Sequence, residues 1–416
     1  MNKQIKQRIE QIRRGEVPEG YKRTKAGIMP LDWCTEKEYK AKDIFKSVTN
    51  KKHNGEFEVL SATQDKGVVP RNQVNIDIKY DEANITGYKK VDCGDFVISL
   101  RSFQGGIEYS EYEGLVSPAY TVLKPVMPIC DGYYKAYLKT GDYINRLNKG
   151  TYGIRDGKQI GFEDFGDMIL HYPPLPEQQK IAEILSTQDK LIALKEKLIE
   201  EKKRQKKALM QQLLTGKKRL PGFEKVWKRK RISDFTTLCV DSIDPCKYSQ
   251  ELFEVYSLPS YDNNKIPECL QGSEMNSNKF IVAEGMVLFN KLNVRQKRVW
   301  YIDRTSNTKM LSSTEFLPMV VKGINPRFLT QYLLTDSATQ YFRLRSSGTS
   351  NSQQRILPSD LMKHSFLVPD IDEQNKIIDV LETFDSEITL LKKDLDQEKQ
   401  KKKALMQLLL TGIVRV

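Results

Sequence analysis

Residues 177–216 and 373–412 are two copies of one segment: EQQKI…LLTG and EQNKI…LLTG align without a gap, 196 positions apart, and agree at 21 of 40 positions. A duplication this close makes the chain build one element twice, so any fold must accommodate two equivalent long segments and the less similar stretches between them. The likeness weakens upstream but keeps its order. Gly94-Asp95-Phe96-Val97-Ile98-Ser99 is matched by Gly285-Met286-Val287-Leu288-Phe289-Asn290, Tyr137-Leu138 by Tyr332-Leu333, and Gly150-Thr151 by Gly348-Thr349. Each half is a divergent segment of about 140 residues followed by a closely matched one.

The matched segments have helical periodicity. In the second copy Leu381, Phe384, Ile388, Leu391, Leu395, Leu405 and Leu409 take a and d positions of a heptad, interrupted by Glu398 and Lys402. In the first, Ile184, Leu185, Leu191, Ile192, Leu194, Leu198 and Ile199 make a broader stripe. Prolines precede both copies, and Gly216 and Gly412 stand where C-terminal caps belong. Each predicted rod is roughly 55–60 Å long, and a lone helix this polar is marginal, so the stripes are expected to bury each other as an intramolecular coiled coil. Antiparallel pairing is favoured, because the intervening domain, about 35–45 Å across, would have to span the whole rod if the helices ran parallel. The expected fold is α+β: two globular α+β domains separated by an antiparallel coiled coil of two long helices, a pseudo-twofold repeat. The expected boundaries are a lead-in helix and linker at 1–30, a first domain at 31–172, a first spacer helix at 173–216, a second domain at 217–368 and a second spacer helix at 369–416.

The divergent segments alternate short strand-like runs (73–78, 96–100, 121–123, 252–258, 286–289 and 299–302) with Gly, Asn, Asp and Pro. Arginines, lysines and amides gather in the loops after strands, at matching places in both halves. Arg101 and Gln104 lie in one loop, Lys291, Asn293, Arg295, Lys297 and Arg298 in its counterpart. Arg155 and Lys158 follow Gly150-Thr151, as Asn351, Gln353 and Arg355 follow Gly348-Thr349. With Lys66 and Arg71 these are the candidate DNA contacts, since Arg, Gln and Asn offer bidentate bonds to base edges while Lys and Arg neutralise phosphates. The net charge of +13 agrees with a polyanionic partner. The Lys-rich runs 202–207 and 399–403 read instead as solvated helix faces or inter-subunit contacts.

Sites for chemistry are missing from the sequence. The lone Pro-Pro, at Pro173-Pro174, lacks the flanking residues that hold a target amine, and there is no GxxxxGK[ST] phosphate loop. Three histidines and six cysteines without a CxxC leave no metal or hydrolytic reading, and Asp370 with Glu373 reads as helix capping rather than as a nuclease site. No apolar run approaches the roughly 18 residues of a membrane span, and the N-terminus lacks a signal peptide's apolar core, so a cytoplasmic protein without catalysis or metal of its own is expected.

The doubled helix starts Glu177-Gln178 and Glu373-Gln374, the doubled Lys-Ala-Leu-Met-Gln-x-Leu-Leu-Thr-Gly ends, Pro30-Leu31-Asp32-Trp33, and Lys217-Lys218-Arg219-Leu220-Pro221-Gly222-Phe223 before Trp227 resemble the specificity subunit of type I restriction-modification enzymes. The resemblance covers nearly the whole chain. It implies two target recognition domains, each reading one half of a split, asymmetric duplex DNA sequence, with helices that set the spacer. It also implies two docked modification subunits, which bind S-adenosylmethionine and methylate adenine, and restriction (motor-nuclease) subunits in the full complex; this chain would bind no cofactor. Partner docking is then expected at the motif residues Glu177, Gln178, Leu209, Met210, Glu373, Gln374, Leu405 and Met406. Two alternatives stay open: a coiled-coil scaffold with two protein-binding lobes, distinguished by the absence of salt-dependent duplex affinity, and a DNA enzyme whose site is not legible.

Overall fold

The two copies form uninterrupted helices, Leu175–Leu213 and Ile371–Leu409, each 39 residues long. The computed structural model describes residues 3–34, 37–74, 82–100, 102–150, 160–348, 350 and 353–416. It divides into one unit of Met1–Glu196 with Asp394–Val416 and another of Lys197–Lys393, so each unit holds part of each long helix.

Within each unit the helix parts pair antiparallel. In the first, Lys402 meets Asp189 at 2.5 Å and Lys195 meets Asp394 at 2.6 Å. In the second, Lys202 meets Glu387 at 2.7 Å and Lys206 meets Asp385 at 2.6 Å. The polar interruptions of the heptad thereby find partners. Glu398 accepts a 2.7 Å bond from Gln188 Nε2 and one from Lys195, and Lys402 serves Asp189. Four members of the Lys-rich runs, Lys202, Lys206, Lys399 and Lys402, are engaged in such pairs. Exposed pairs stabilise little, but they distinguish this orientation and register from others. Of the stripe residues, Leu381, Ile388, Leu395, Leu409, Leu185 and Ile199 are buried, whereas Leu194 and Leu198 face solvent. The first copy's stripe is thus wider than the seam it supplies, because pairing covers only one narrow face of a helix.

The first unit contains an antiparallel sheet in the order Phe45–Val48, Thr121–Pro125, Phe96–Ile98, Glu108–Tyr109. Helices Asp131–Tyr137, Gly141–Gly150 and Phe162–Gly166 close an aromatic core of Phe45, Phe96, Tyr133, Tyr134, Tyr137 and Phe165, into which the long helices send Ile181, Leu185 and Leu409, with Leu410 just after the second. Lys3–Arg13 forms the short lead-in helix. Of the expected strand at 73–78, Gln73 ends the 3-10 turn Arg71–Gln73 and 75–78 lie outside the described residues.

The second unit repeats that sheet order with Thr236–Leu238, Phe316–Val321, Val287–Asn290 and Val299–Tyr301. The matched Gly94 and Gly285 both take positive φ, 98° and 83°, before equivalent strands. It adds a five-stranded sheet in which Leu252–Tyr256 runs parallel to Lys309–Ser313. Its main core joins Phe289, Phe328, Leu329, Tyr332, Phe342 and Phe366 to Leu213, Ile377, Ile378 and Leu381 of the long helices and to Leu214 just past the first. Asp370 Oδ1 accepts the Glu373 N–H at 3.0 Å, the capping role that its position implied.

Candidate nucleic-acid interface

In the second unit the strand Val287–Asn290 ends in a buried asparagine whose side chain binds Leu292 twice, Nδ2 donating at 2.6 Å and Oδ1 accepting at 3.0 Å. The backbone then takes left-handed conformations at Asn293 (φ 48°) and Lys297 (φ 41°), on either side of the 3-10 turn Val294–Gln296, and buried Val294 anchors that turn. The loop is tied to a segment some sixty positions downstream: Asn293 N donates to Gln354 O at 2.7 Å and Ile356 N to Lys291 O at 3.1 Å, while Ser347 and Arg355 exchange both backbone bonds. The two candidate loops of this half therefore form one surface.

Their cations divide into two groups. Arg298 grips Asp262 with both Nε (2.8 Å) and Nη2 (2.6 Å), Arg355 holds Glu315 at 2.8 and 3.2 Å, and Lys297 is paired with Asp336. A guanidinium in a bidentate pair has used the fork that would read guanine. Arg295 and Gln353 are exposed, and among the described residues no hydrogen bond or ion pair holds either side chain. They can reach outward, and half-buried Lys291 lies behind them. Asn351 is outside the described residues.

In the first unit, Arg101, Arg155 and Lys158 lie outside the described residues. Gln104 is exposed on the short helix Ser102–Gly105. This helix is seated by close backbone approach: a Cβ on Gly106 would come within 2.1 Å of Leu138 O, and one on Gly105 within 2.6 Å of the Gln64 side chain. Gln64 belongs to the hairpin turn that carries Lys66, whose Nζ donates to Gln73 O at 3.0 Å. Arg71 is half-buried in the next turn, its N–H donating to Val59 O. Lys66 and Gly105, the residue after Gln104, line a cleft of about 740 Å³ together with Glu108, Lys139 and Lys190. Glu108 is 2% exposed, and burial pushes its carboxyl up to about 7 against the pull of Lys139. Sequence reasoning missed Glu108 and Lys139, because nothing local distinguishes them from other strand and helix residues.

The eight motif residues expected to dock partners all make contacts within their own unit, and the four hydrophobic ones stay half-exposed. Glu177 accepts Trp33 Nε1 at 2.8 Å and both Nε and Nη2 of Arg415, at 2.6 and 2.8 Å. Glu373 repeats the arrangement with Trp227 Nε1 at 2.9 Å and Arg219 at 2.6 and 2.8 Å. Gln178 spans Cys130 N and Pro173 O, and Gln374 spans Asn325 N and Pro369 O. Leu209 and Met210 pack on the core of one unit, Leu405 and Met406 on that of the other. Glu177, Gln178, Glu373 and Gln374 recur at the points where each helix start is fastened to its own domain. The recurrence of Trp33 and Trp227 ahead of the matched segments was the available signal.

The profile of the type I restriction modification DNA specificity domain matches residues 35–204 and 224–399. The chain is 26% identical over 359 residues to the type I restriction enzyme MjaVIII specificity subunit of Methanocaldococcus jannaschii, covering 78% of this chain and 80% of that one. Among solved structures it resembles the HsdS subunit from Thermoanaerobacter tengcongensis, with TM-score 0.52, 13% identity, and 96% and 98% of the two chains covered. It also resembles a chain from a study of complex assembly and conformational transition of the type I R-M system, with TM-score 0.57, 12% identity, and 96% and 100% covered.

Proposed function

The chain belongs to the type I restriction modification DNA specificity family, and on that premise we propose a division of labour within a DNA target-recognition subunit. Residues 31–172 and 217–368 each read one half of a bipartite, asymmetric duplex sequence, and the long helices set the spacer and dock two modification subunits. Adenine methylation and S-adenosylmethionine belong to those partners, and cleavage to restriction subunits. The chain itself holds no cofactor and performs no catalysis, and it works in the cytoplasm. Among the described residues no helix is long and apolar enough to cross a membrane.

One observation carries this reading above all: a single chain holds two sheets of identical strand order whose post-strand loops differ. Duplicated scaffold with divergent loops is what two readers of different sequences require. The helices keep surface for partners, since Leu194 is 64% and Leu390 67% exposed. The scaffold alternative is not favoured, because the matching family is defined by DNA specificity.

The test is to exchange residues 217–368 for the equivalent domain of another family member and to map methylated adenines with the modification subunits present. One half of the recognised sequence should change and the other half and the spacer should persist. A change in both halves, or in neither, would refute the assignment.

A further inference from the structure

The structure assigns a phosphate-binding role to the basic ribbon at the start of the second domain, an inference that rests on the DNA-recognition reading above. Strand Lys228–Arg231 reads Lys-Arg-Lys-Arg, and all four residues are exposed. It pairs antiparallel with Ser365–Val368, whose buried Phe366 and Val368 fix the ribbon to the core. Among the described residues none of the four cations has a carboxylate partner, although ion pairs elsewhere in the chain are many. The nearby Asp234 carboxylate is turned onto the Arg231 backbone N–H at 2.8 Å. Lys363, just before the partner strand, and Arg345, which lies 3.7 Å over the Tyr341 ring and shares the surroundings of His364 with Arg229, extend the patch, and among the described residues no ion pair joins Lys363 to Asp360 of its own helix. Arg345 is also two positions from Ser347, which is bonded to the Arg355 loop, so the patch runs up to the candidate reading surface.

The duplication supplies an internal control. In the first unit Ala41 N donates to Met168 O at 2.8 Å, and in the second Ile232 N donates to His364 O at 2.9 Å. That shared bond aligns Lys40 with Arg231 and Asp167 with Lys363. In the first unit Asp167 neutralises both Lys40 (3.0 Å) and Lys42 (2.8 Å), and Lys37 is paired with Asp43. In the second, the neutralising acid is replaced by a lysine. Crowded like charge repels itself, and a partner that releases counterions relieves that repulsion. Duplex phosphates beside the half-site read by the second domain fit the patch; an acidic face of a modification subunit is the competing occupant.

The test uses the complex assembled with modification subunits and measures affinity for its own sequence across a salt series. Replacing Lys228, Arg229, Lys230 and Arg231 together by Gln should reduce the slope of log K against log salt by about 3 to 4, and Lys363→Asp alone by roughly 1, with the recognised sequence unchanged. Lys40→Gln with Lys42→Gln should leave the slope as it was. Wild-type slope in both ribbon variants overturns the proposal, as does loss of assembly with the modification subunits at unchanged slope, which would assign the patch to protein docking. If the wild-type complex itself shows no salt-dependent affinity, the DNA-recognition reading falls, and this inference with it.

Discussion

Arg295 and Arg298 are three positions apart in one loop and have opposite fates. Arg298 is locked to Asp262 and orients the loop, while Arg295 projects from the turn that Val294 anchors. Arg295→Ala should therefore relax selectivity at one half-site only, at a cost of about 1–3 kcal/mol in discrimination. Uniform weakening across all sequences would show that it holds phosphate instead, and competition binding against single-base variants distinguishes the two outcomes. His364 makes a different prediction. Burial is the chief reason its imidazole is pushed down to about 4, helped by Arg345 and then Arg229, while Tyr332 Oη sits 3.0 Å from Nε2. His171 is likewise pushed down to about 4, first by burial. A neutral imidazole in the fold and a normal one near 6.5 in the unfolded chain mean that unfolding takes up a proton between those values. The contribution is complete above pH about 6.5 and is lost as pH falls toward about 4. Unfolding titrations should show His364→Asn taking up about one proton fewer than the wild type at pH 5 and nearly the same number at pH 7.

The long helices owe their identity to periodicity and their position to the fasteners at their ends. Gly216 and Gly412 both take φ of 72°, and the ideal Cβ positions run into Trp227 and into Pro30, so each helix stops against the tryptophan segment that also binds the opposite helix's first glutamate. Glu373→Ala would leave buried Trp227 Nε1 and the Arg219 fork unsatisfied. Removing one partner from such a network should cost about 2–4 kcal/mol, visible as a lower denaturation midpoint of the second unit, whereas an unchanged midpoint would make the fastener decorative. The broad stripe of the first copy exceeds its seam because hydrophobicity marks every leucine alike, whereas burial depends on which face the partner helix covers. Leu194 and Leu198 belong to that excess.

For the assembly as a unit of recognition, spacing is the property at stake. Adding four residues to each long helix extends each by about 6 Å, so the complex should tolerate a longer spacer between half-sites. Methylation mapping that returned the original spacer would end the idea of the helices as a ruler. The reading loops respond to something else. Lys291 to Arg298 and Gln353 to Arg355 are joined by main-chain bonds that no local pattern announces, and the carboxylates that neutralise Lys297, Arg298 and Arg355 come from Asp336, Asp262 and Glu315, distant in sequence.

Repeat, periodicity and terminal glycines were enough to establish two α+β halves and two long helices, because each depends on short-range spacing along the chain, and the size of the intervening domain gave the antiparallel sense. The doubled motifs also led to the family. That Glu177 and Glu373 bind buried tryptophans was decided by the tertiary structure, since a recurring polar residue looks the same in sequence whether it faces solvent or a buried tryptophan. Which of the described loop arginines are tied to carboxylates was decided only by folding, because charge neutralisation is a matter of through-space distance and chain order does not record it.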